Sequence, residues 1–136
     1  MIKELCVDGL EQAIKASEMG ADRIEFCKDL SVGGITPDLE EIQQYSCPTK
    51  TVVMIRCRAG DFVYNDQEID QMIETINQLK QMNHPQVEGI VLGFLTPENL
   101  IDQEQMKKVM EIAAPLYVVF HMAFDEIPLE HQLSQL

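Results

Sequence analysis

The sequence predicts an α/β protein in which parallel strands alternate with helices along its 136 residues. Five short apolar runs recur along the chain, and each is followed by a stretch with the apolar spacing of a helix. One run, residues 51–56, begins TVVMI and is apolar on both faces, which is typical of a strand covered on both sides. Two architectures fit this alternation: an open doubly wound sheet, or part of a (β/α) barrel.

The first two βα units occupy roughly the first third of the chain. The first strand is predicted at residues 2–6, and Asp8 with Glu11 three residues later forms a capping box for the helix after it. Gly20 suits the position just beyond that helix. The second strand is predicted at residues 23–27. Thr36 is expected to cap the second helix, with Pro37 at its first position and Cys47-Pro48 at its end.

The next three units follow the same order. A third strand at residues 51–56 precedes a helix capped by Asn65 or Asp66, whose inner face is Ile69, Met72, Ile73, Ile76 and Leu79. The fourth strand is predicted at residues 89–95, and Asp102 with Gln105 begins the helix that Pro115 ends. The fifth strand is predicted at residues 116–121, and a last helix is predicted to begin at Pro128.

Composition limits the class of protein and its partners. The net charge of −13 disfavours nucleic acid and anionic membranes as partners, because both repel an acidic surface. No apolar run approaches the roughly 18 residues that a membrane span needs, and the N-terminus lacks an apolar signal core. We therefore expect a cytoplasmic protein, with residues 1–136 forming one domain. None of the four cysteines forms a C-x-x-C pair, and reduced thiols are expected.

Polar residues at the carboxyl ends of the predicted strands indicate a functional site, since parallel α/β proteins bind ligands there. Glu25 and Cys27 are two residues apart on a strand and therefore project from the same face. The paired glycines Gly33 and Gly34 follow shortly before a predicted helix start. Their N–H groups would suit a phosphate, and a plain turn is the simpler explanation of the pair.

Five segments in order resemble the copper homeostasis protein CutC family: ELCVD (4–8), GADRIEFC (20–27), GGITP (33–37), MIRCRAGDFVY (54–64) and FHMAFD (120–125). The resemblance implies a (β/α)8 barrel, a cytoplasmic location and copper handling, with no reaction attached. It implies that Cys6 and Cys27 match cysteines proposed as Cu(I) ligands. It also implies that the polar residues of the barrel mouth are Glu4, Glu25, Arg56, Arg58, Asp61, His121 and Asp125.

The chain departs from the family pattern in three ways. The first is in the loop after the third strand, where Cys57 replaces the usual proline and Ala59 the usual glycine, and the second is Met122 in place of the usual arginine. The largest departure is that the resemblance covers about five of the eight βα units, as in a truncated barrel. An incomplete barrel has two unpaired edges and an exposed core face. We therefore expect a homo-oligomer through the open edges, a rearranged open sheet, or a chain that is part of a longer product.

The thiols suggest a metal site. Adjacent strands lie about 4.8 Å apart, so equivalent positions at the ends of the first two strands would bring Cys6 and Cys27 together. Two thiolates without hard ligands suit Cu(I) better than Mg²⁺ or Ca²⁺. The alternative is a pair of ordinary buried cysteines.

A second interpretation is an enzyme acting on a small, possibly phosphorylated molecule. Glu25, Arg56 and His121 have the residue types of an acid–base site and are its candidate catalytic residues. Gly33, Gly34, Arg58 and Asp61 are its candidate loop for an anion or substrate. The alternatives are an ion-paired mouth in which Arg56 neutralises the glutamates, and a shortened homologue without activity.

Overall fold

A computed structural model describes residues 3–120. Five strands in this range form one parallel sheet, in which the strands follow their chain order from β1 to β5. The strands are β1 Glu4–Asp8, β2 Arg23–Cys27, β3 Lys50–Met54, β4 Val87–Leu92 and β5 Tyr117–Phe120, and the helices are α1 Gly9–Glu18, α2 Leu39–Gln44, α3 Asp66–Met82 and α4 Gln103–Ala113. The α/β class and the parallel strands are confirmed. His121, Asp125, Met122 and the helix predicted from Pro128 lie outside the described residues.

The strand order distinguishes the two predicted architectures. A doubly wound sheet reverses its strand order at a switch point, whereas each strand here pairs in parallel with its neighbours in sequence. Right-handed crossovers that all run in one direction place every helix on the same face of the sheet. The described part of the chain is therefore the wall of a (β/α) barrel.

Alternation along the strands gives the sheet two different faces. The helix-facing side carries the main core, with fully buried Ile24, Phe26, Val53 and Ile90 against helix residues such as Ala13, Met72, Ile76 and Val109. The opposite, inner face carries Glu4, Cys6 and Asp8 on β1 and Arg23, Glu25 and Cys27 on β2. Farther along, that face becomes apolar, with Val52, Met54 and Val91 buried against Cys27. The inner face thus has a polar wall and an apolar wall.

Several local predictions are confirmed. The second strand has the predicted bounds, and Gly20 follows the α1 C-cap with a positive φ. Asn65 caps α3 by accepting from the Glu68 N–H, while Glu68 accepts from the Asn65 N–H. Asp102 caps α4 by accepting from the Gln105 N–H at 3.2 Å. These caps depend on local sequence alone, which explains why sequence patterns find them.

The α1 helix begins after Asp8 as predicted, but the predicted capping bond of Asp8 and the predicted start of α2 are wrong, because tertiary contacts take the capping groups. The Asp8 carboxylate makes no cap bond to α1 and instead accepts from the Leu30 N–H at 3.1 Å, across the sheet end. Thr36 does not cap α2, which begins at Leu39 after Asp38. The Thr36 hydroxyl donates to the Arg56 carbonyl at 3.1 Å and accepts from the Arg56 N–H at 2.8 Å.

A chain of polar side chains crosses the inner face near the start of the strands. Arg23 donates to Glu4 at 2.6 Å and to the Tyr117 hydroxyl at 3.1 Å, and that hydroxyl donates to Glu88 at 2.5 Å. Gly89 lets the Tyr117 ring lie over β4, because a Cβ on Gly89 would be 2.8 Å from the ring. The link joins β2 to β5, three strands away, as the concave face of a curved sheet allows.

The outer strands are the edges of the described sheet. Within residues 3–120, β1 pairs only with β2 and β5 only with β4. Leu5 and Tyr117 on these strands are 39% and 37% exposed. The expectation of an exposed core face is wrong for the central strands, where Val52 and Met54 are buried. No helix in this described range is both long and apolar enough to cross a membrane.

Candidate functional site

The first two strands bring the predicted metal ligands onto one face, with a register different from the predicted one. The first strand lies two residues later than expected, so Cys6 is opposite Glu25 and Cys27 is opposite Asp8. The cysteines are therefore diagonal neighbours rather than direct partners. A 4.8 Å strand spacing and a 3.3 Å rise per residue separate their Cα atoms by about 8 Å. Two cysteine side chains on one face can flank a single ion across that distance.

The two thiols differ in environment. Cys6 lies on the exposed edge strand, whereas Cys27 is 1% exposed, and both are free thiols. Burial, and then the Glu25 carboxylate, raise the pKa of Cys6 to about 11. Burial also raises the pKa of the Cys27 thiol, with smaller contributions from Glu25, Cys6 and Asp8. Both sulfurs therefore carry protons at neutral pH, and a metal ion must displace them.

Glu25 lies between the thiols and is half-buried. Glu25 is the direct partner of Cys6 across the strand pair. Burial raises the pKa of Glu25, and the neighbouring Cys6 thiol only partly offsets that rise. The Glu4 charge raises the pKa of Glu25 further, whereas the Arg23 charge lowers it. Arg56 does not contribute to this pKa shift and forms none of the described ion pairs. The pKa of Glu25 is thus set by burial and by its neighbours on β1 and β2.

Asp8 is the member of this wall that sequence reasoning missed. The sequence predicts it as a helix cap, and the structure also places its backbone opposite Cys27. The signal was the alternation in ELCVD, which places Glu4, Cys6 and Asp8 on the same strand face. The carboxylates of Glu4, Asp8 and Glu25 therefore lie on the same face as the two thiols. Such a surface attracts cations and repels anions.

The glycine loop after β2 lies directly over Cys27. A Cβ on Gly34 would be 3.3 Å from both the Cβ and the Sγ of Cys27. The N–H groups of Gly33 and Gly34 donate to the carbonyls of Leu30 and Asp29 at 3.0 and 3.1 Å. Because those donors are used within the loop, the glycines present a closed turn to the site.

Arg56 follows β3 and is 4% exposed. Its Nη1 donates to the carbonyls of Val32 and Gly34 at 3.0 and 3.2 Å, and its Nη2 donates to Gly60 at 2.8 Å. The guanidinium lies 4.9 Å from the centre of the Phe62 ring. Within residues 3–120, its Nε has no hydrogen-bond partner, and no carboxylate of this range forms an ion pair with it. The cation thus joins two loops through their backbone carbonyls.

Arg58 and Asp61 belong to a separate cluster in the loop before α3. Arg58 pairs with Glu68 and with Asp61, the latter at 3.0 Å, and donates to the Val63 carbonyl at 2.8 Å. Its guanidinium also lies over the Tyr64 ring. The positive charge of Arg58 is compensated by two carboxylates, so this cluster braces the loop.

The structure therefore brings together Cys6, Glu25 and Cys27, and adds Asp8. The predicted catalytic residue His121 lies outside the described residues. Across residues 3–120, no three His, Cys, Asp or Glu side chains converge as a group suited to a metal ion. Two thiols fall short of the four ligands typical of structural zinc, and soft thiolates favour Cu(I) among the remaining metals.

Comparison with known proteins matches the whole chain, residues 1–136, to the model of the CutC family. The chain is 43% identical over 128 residues to a human copper homeostasis protein cutC homolog, covering 93% of this chain and 46% of that protein. It is 39% identical to a CutC family protein of Enterococcus faecalis, covering 98% and 65%. The crystal structure of CutC from Streptococcus agalactiae matches with a TM-score of 0.88 and 35% identity, over 98% of this chain and 65% of that one. The chain thus spans about half to two thirds of the length of these relatives.

Proposed function

The chain belongs to the CutC family, and we propose that it acts in copper homeostasis by binding Cu(I) between Cys6 and Cys27. The observation that supports this proposal is the register of β1 and β2, in which both cysteines lie on one face beside Glu25 and Asp8. The human and Dictyostelium relatives are named copper homeostasis proteins, and the copper assignment of this chain follows theirs.

The chemistry of this wall suits a soft monovalent cation. Thiolate sulfur is the preferred ligand of Cu(I), and the neighbouring carboxylates favour a positive ion. Both thiols are protonated at neutral pH because their pKa values are raised. Binding one ion to both sulfurs therefore releases protons, and apparent affinity rises with pH. Glu25, which is opposite Cys6 on the neighbouring strand, is placed to accept the first of them.

A competition titration tests this proposal. Anaerobic protein is titrated with Cu(I) against a chromophoric chelator, and the wild type is compared with Cys6→Ser and Cys27→Ser. Cys47→Ser is the matched control, because Cys47 is a free, partly exposed thiol that packs on the helix-facing core. We expect one ion per chain, and at least tenfold weaker binding in either site variant, equivalent to about 1.4 kcal/mol. Unchanged affinity in both site variants contradicts the proposal.

A second candidate function is acid–base chemistry on a small molecule, with Glu25, Arg56 and His121 as catalytic residues. The observation that favours it is the raised pKa of half-buried Glu25, since a general acid must keep its proton near neutral pH. Gly33, Gly34, Arg58 and Asp61 stay predicted contacts of its substrate, and a bound anion would have to replace the internal bonds of the glycine turn and the ion pairs of Arg58. Titration of Glu25 by carbon-13 NMR, with and without added inorganic phosphate, tests it. A phosphate-induced shift in the Glu25 pKa supports this function, and no response contradicts it.

We further propose a cytoplasmic protein that assembles into a homo-oligomer through β1 and β5. These strands are the edges of the described sheet and carry partly exposed Leu5, Tyr117 and Phe120. Unpaired parallel edges offer backbone groups to another strand. Light scattering after gel filtration should give a mass above that of one 15.5 kDa chain. A compact monomer at micromolar concentration would rule out the oligomer.

A further inference from the structure

The loop of residues 28–35, between β2 and α2, covers the thiol of Cys27. Gly34 has a φ of +90°, and its missing Cβ would lie 3.3 Å from the Cys27 Sγ. The backbone of Gly34 therefore packs closely on the sulfur, and an added methyl group would fit only if the Cys27 side chain or the loop shifted by a few tenths of an ångström. Cys27 is 1% exposed, whereas Cys6 across the strand pair is exposed. Solvent therefore reaches the thiol of Cys6 but not the thiol of Cys27.

Few contacts hold this cover in place. At its base, Lys28 and Ile35 exchange two backbone hydrogen bonds of 3.1 and 2.8 Å, and the Lys28 ammonium pairs with Asp38 at 3.0 Å. Beyond that base, the Leu30 N–H donates to Asp8 on β1. Leu30 and Val32 at the tip are 37% and 44% exposed. A segment with little buried apolar surface belongs to the part of a protein that opens most easily.

Arg56 supplies the remaining attachment. Its Nη1 donates to the carbonyls of Val32 and Gly34, on either side of the turn that rests on the sulfur. Its Nη2 is fixed to Gly60 on the neighbouring loop, and the side chain is almost fully buried. Hydrogen bonds from a charged donor are stronger than those between neutral groups. Without these two bonds, the Leu30–Asp8 bond is the described side-chain bond that still holds the tip, while the Lys28–Ile35 base remains as a hinge.

We propose that residues 28–35 form a hinged cover over Cys27, and that Arg56 is the positioning residue that holds the cover closed. An ion reaches Cys6 directly, and it reaches Cys27 only when the cover lifts. The identity of that ion rests on the proposed copper function. The cover itself is a property of the protein without metal, so the two can fail separately.

Alkylation by iodoacetamide, followed at each cysteine by mass spectrometry, tests the cover without copper. Two variants lift it in different ways: Gly34→Ala drives a methyl group against the sulfur, and Arg56→Lys removes the paired donors. Gly20→Ala is the matched control, because Gly20 has a similar φ of +87° and no atom within 4 Å of its added Cβ. Gly34→Ala and Gly20→Ala thus share the backbone strain of alanine at a positive φ, and they differ in whether the added methyl group contacts Cys27.

We expect Cys27 alkylation to be faster than in the wild type by about tenfold or more in Gly34→Ala and Arg56→Lys, as the loss of a charged hydrogen bond implies. Gly20→Ala should label Cys27 at the wild-type rate. Equal Cys27 rates in the wild type and in both cover variants would overturn the proposal.

The wild-type protein provides a test that does not require the variants to fold. Local lifting of the cover exposes little surface, so the Cys27 alkylation rate should hardly change with urea below the unfolding transition. A rate that rises with the full urea dependence of global unfolding would overturn the proposal. If the cover is confirmed while Cys6→Ser and Cys27→Ser keep full Cu(I) affinity, the copper function fails and the cover stands.

Discussion

Removal of the Tyr117 hydroxyl should weaken the link between β2 and β5. Tyr117→Phe deletes the bonds to Arg23 at 3.1 Å and to Glu88 at 2.5 Å. Hydrogen bonds to charged groups contribute about 1.5–3 kcal/mol each when buried. Tyr117 is 37% exposed, and the Arg23 and Glu4 side chains are each 29% exposed, so solvent screens these bonds. We expect a loss of about 2 kcal/mol for the two together.

Urea unfolding measures this loss, and at a slope of about 1–2 kcal/mol per molar the midpoint should fall by roughly 1–2 M. A double-mutant cycle with Arg23→Met should give a coupling free energy of about 1 kcal/mol. Tyr45→Phe is the control, because its hydroxyl donates to the neutral Thr49 carbonyl on the helix-facing side. Coupling below about 0.3 kcal/mol would refute the transverse link and the sheet curvature inferred from it.

Three further predictions concern stability. Gly89→Ala should destabilise the fold by about 2–3 kcal/mol in urea unfolding, because its Cβ would lie 2.8 Å from the Tyr117 ring and carbonyl oxygen; a loss under about 0.5 kcal/mol would contradict that overlap. Asn65→Ala should cost about 1 kcal/mol through its lost cap on α3, and an unchanged melting temperature would argue against the capping box. Glu25→Gln should stabilise the protein at pH 7, because burial raises the Glu25 pKa and the ionised form therefore opposes folding. The stability that protonated Glu25 contributes is present below the ordinary carboxyl pKa and is lost as pH rises through the raised pKa. The wild type and Glu25→Gln should therefore have equal stability near pH 4. A Glu25→Gln protein that is less stable than the wild type at pH 7 would contradict this prediction.

The fold was predictable where its determinants are local. The bounds of β2, the cap of α3 at Asn65 and the cap of α4 at Asp102 follow from neighbouring residues. The sequence prediction places the first strand two residues early because it assigns Asp8 to the following helix as a cap, whereas β1 extends to Asp8. In fact Cys6 and Asp8 lie on the inner face, opposite Glu25 and Cys27. Register between distant strands is a tertiary property that alternation alone does not fix.

The sequence predicts which residues belong to the site better than it predicts how they are arranged. Cys6, Glu25 and Cys27 do share a face, as the spacing indicated. Arg56 was expected to act on a ligand, whereas its donors bind the carbonyls of Val32, Gly34 and Gly60. No sequence pattern shows which carbonyls surround a buried guanidinium, since those carbonyls belong to loops brought together by folding. For the same reason the cover over Cys27 could not be inferred from the Gly33-Gly34 pair alone.

X-ray absorption at the copper edge tests the central claim most directly, because it counts the sulfur atoms bound to the metal. Protein loaded with one equivalent of Cu(I) under anaerobic conditions is compared with the Cys27→Ser variant loaded in the same way. A site formed by Cys6 and Cys27 predicts two sulfur ligands in the wild type and one in the variant. A wild-type spectrum without sulfur ligands, or the same sulfur count in both proteins, would contradict a copper site on this wall.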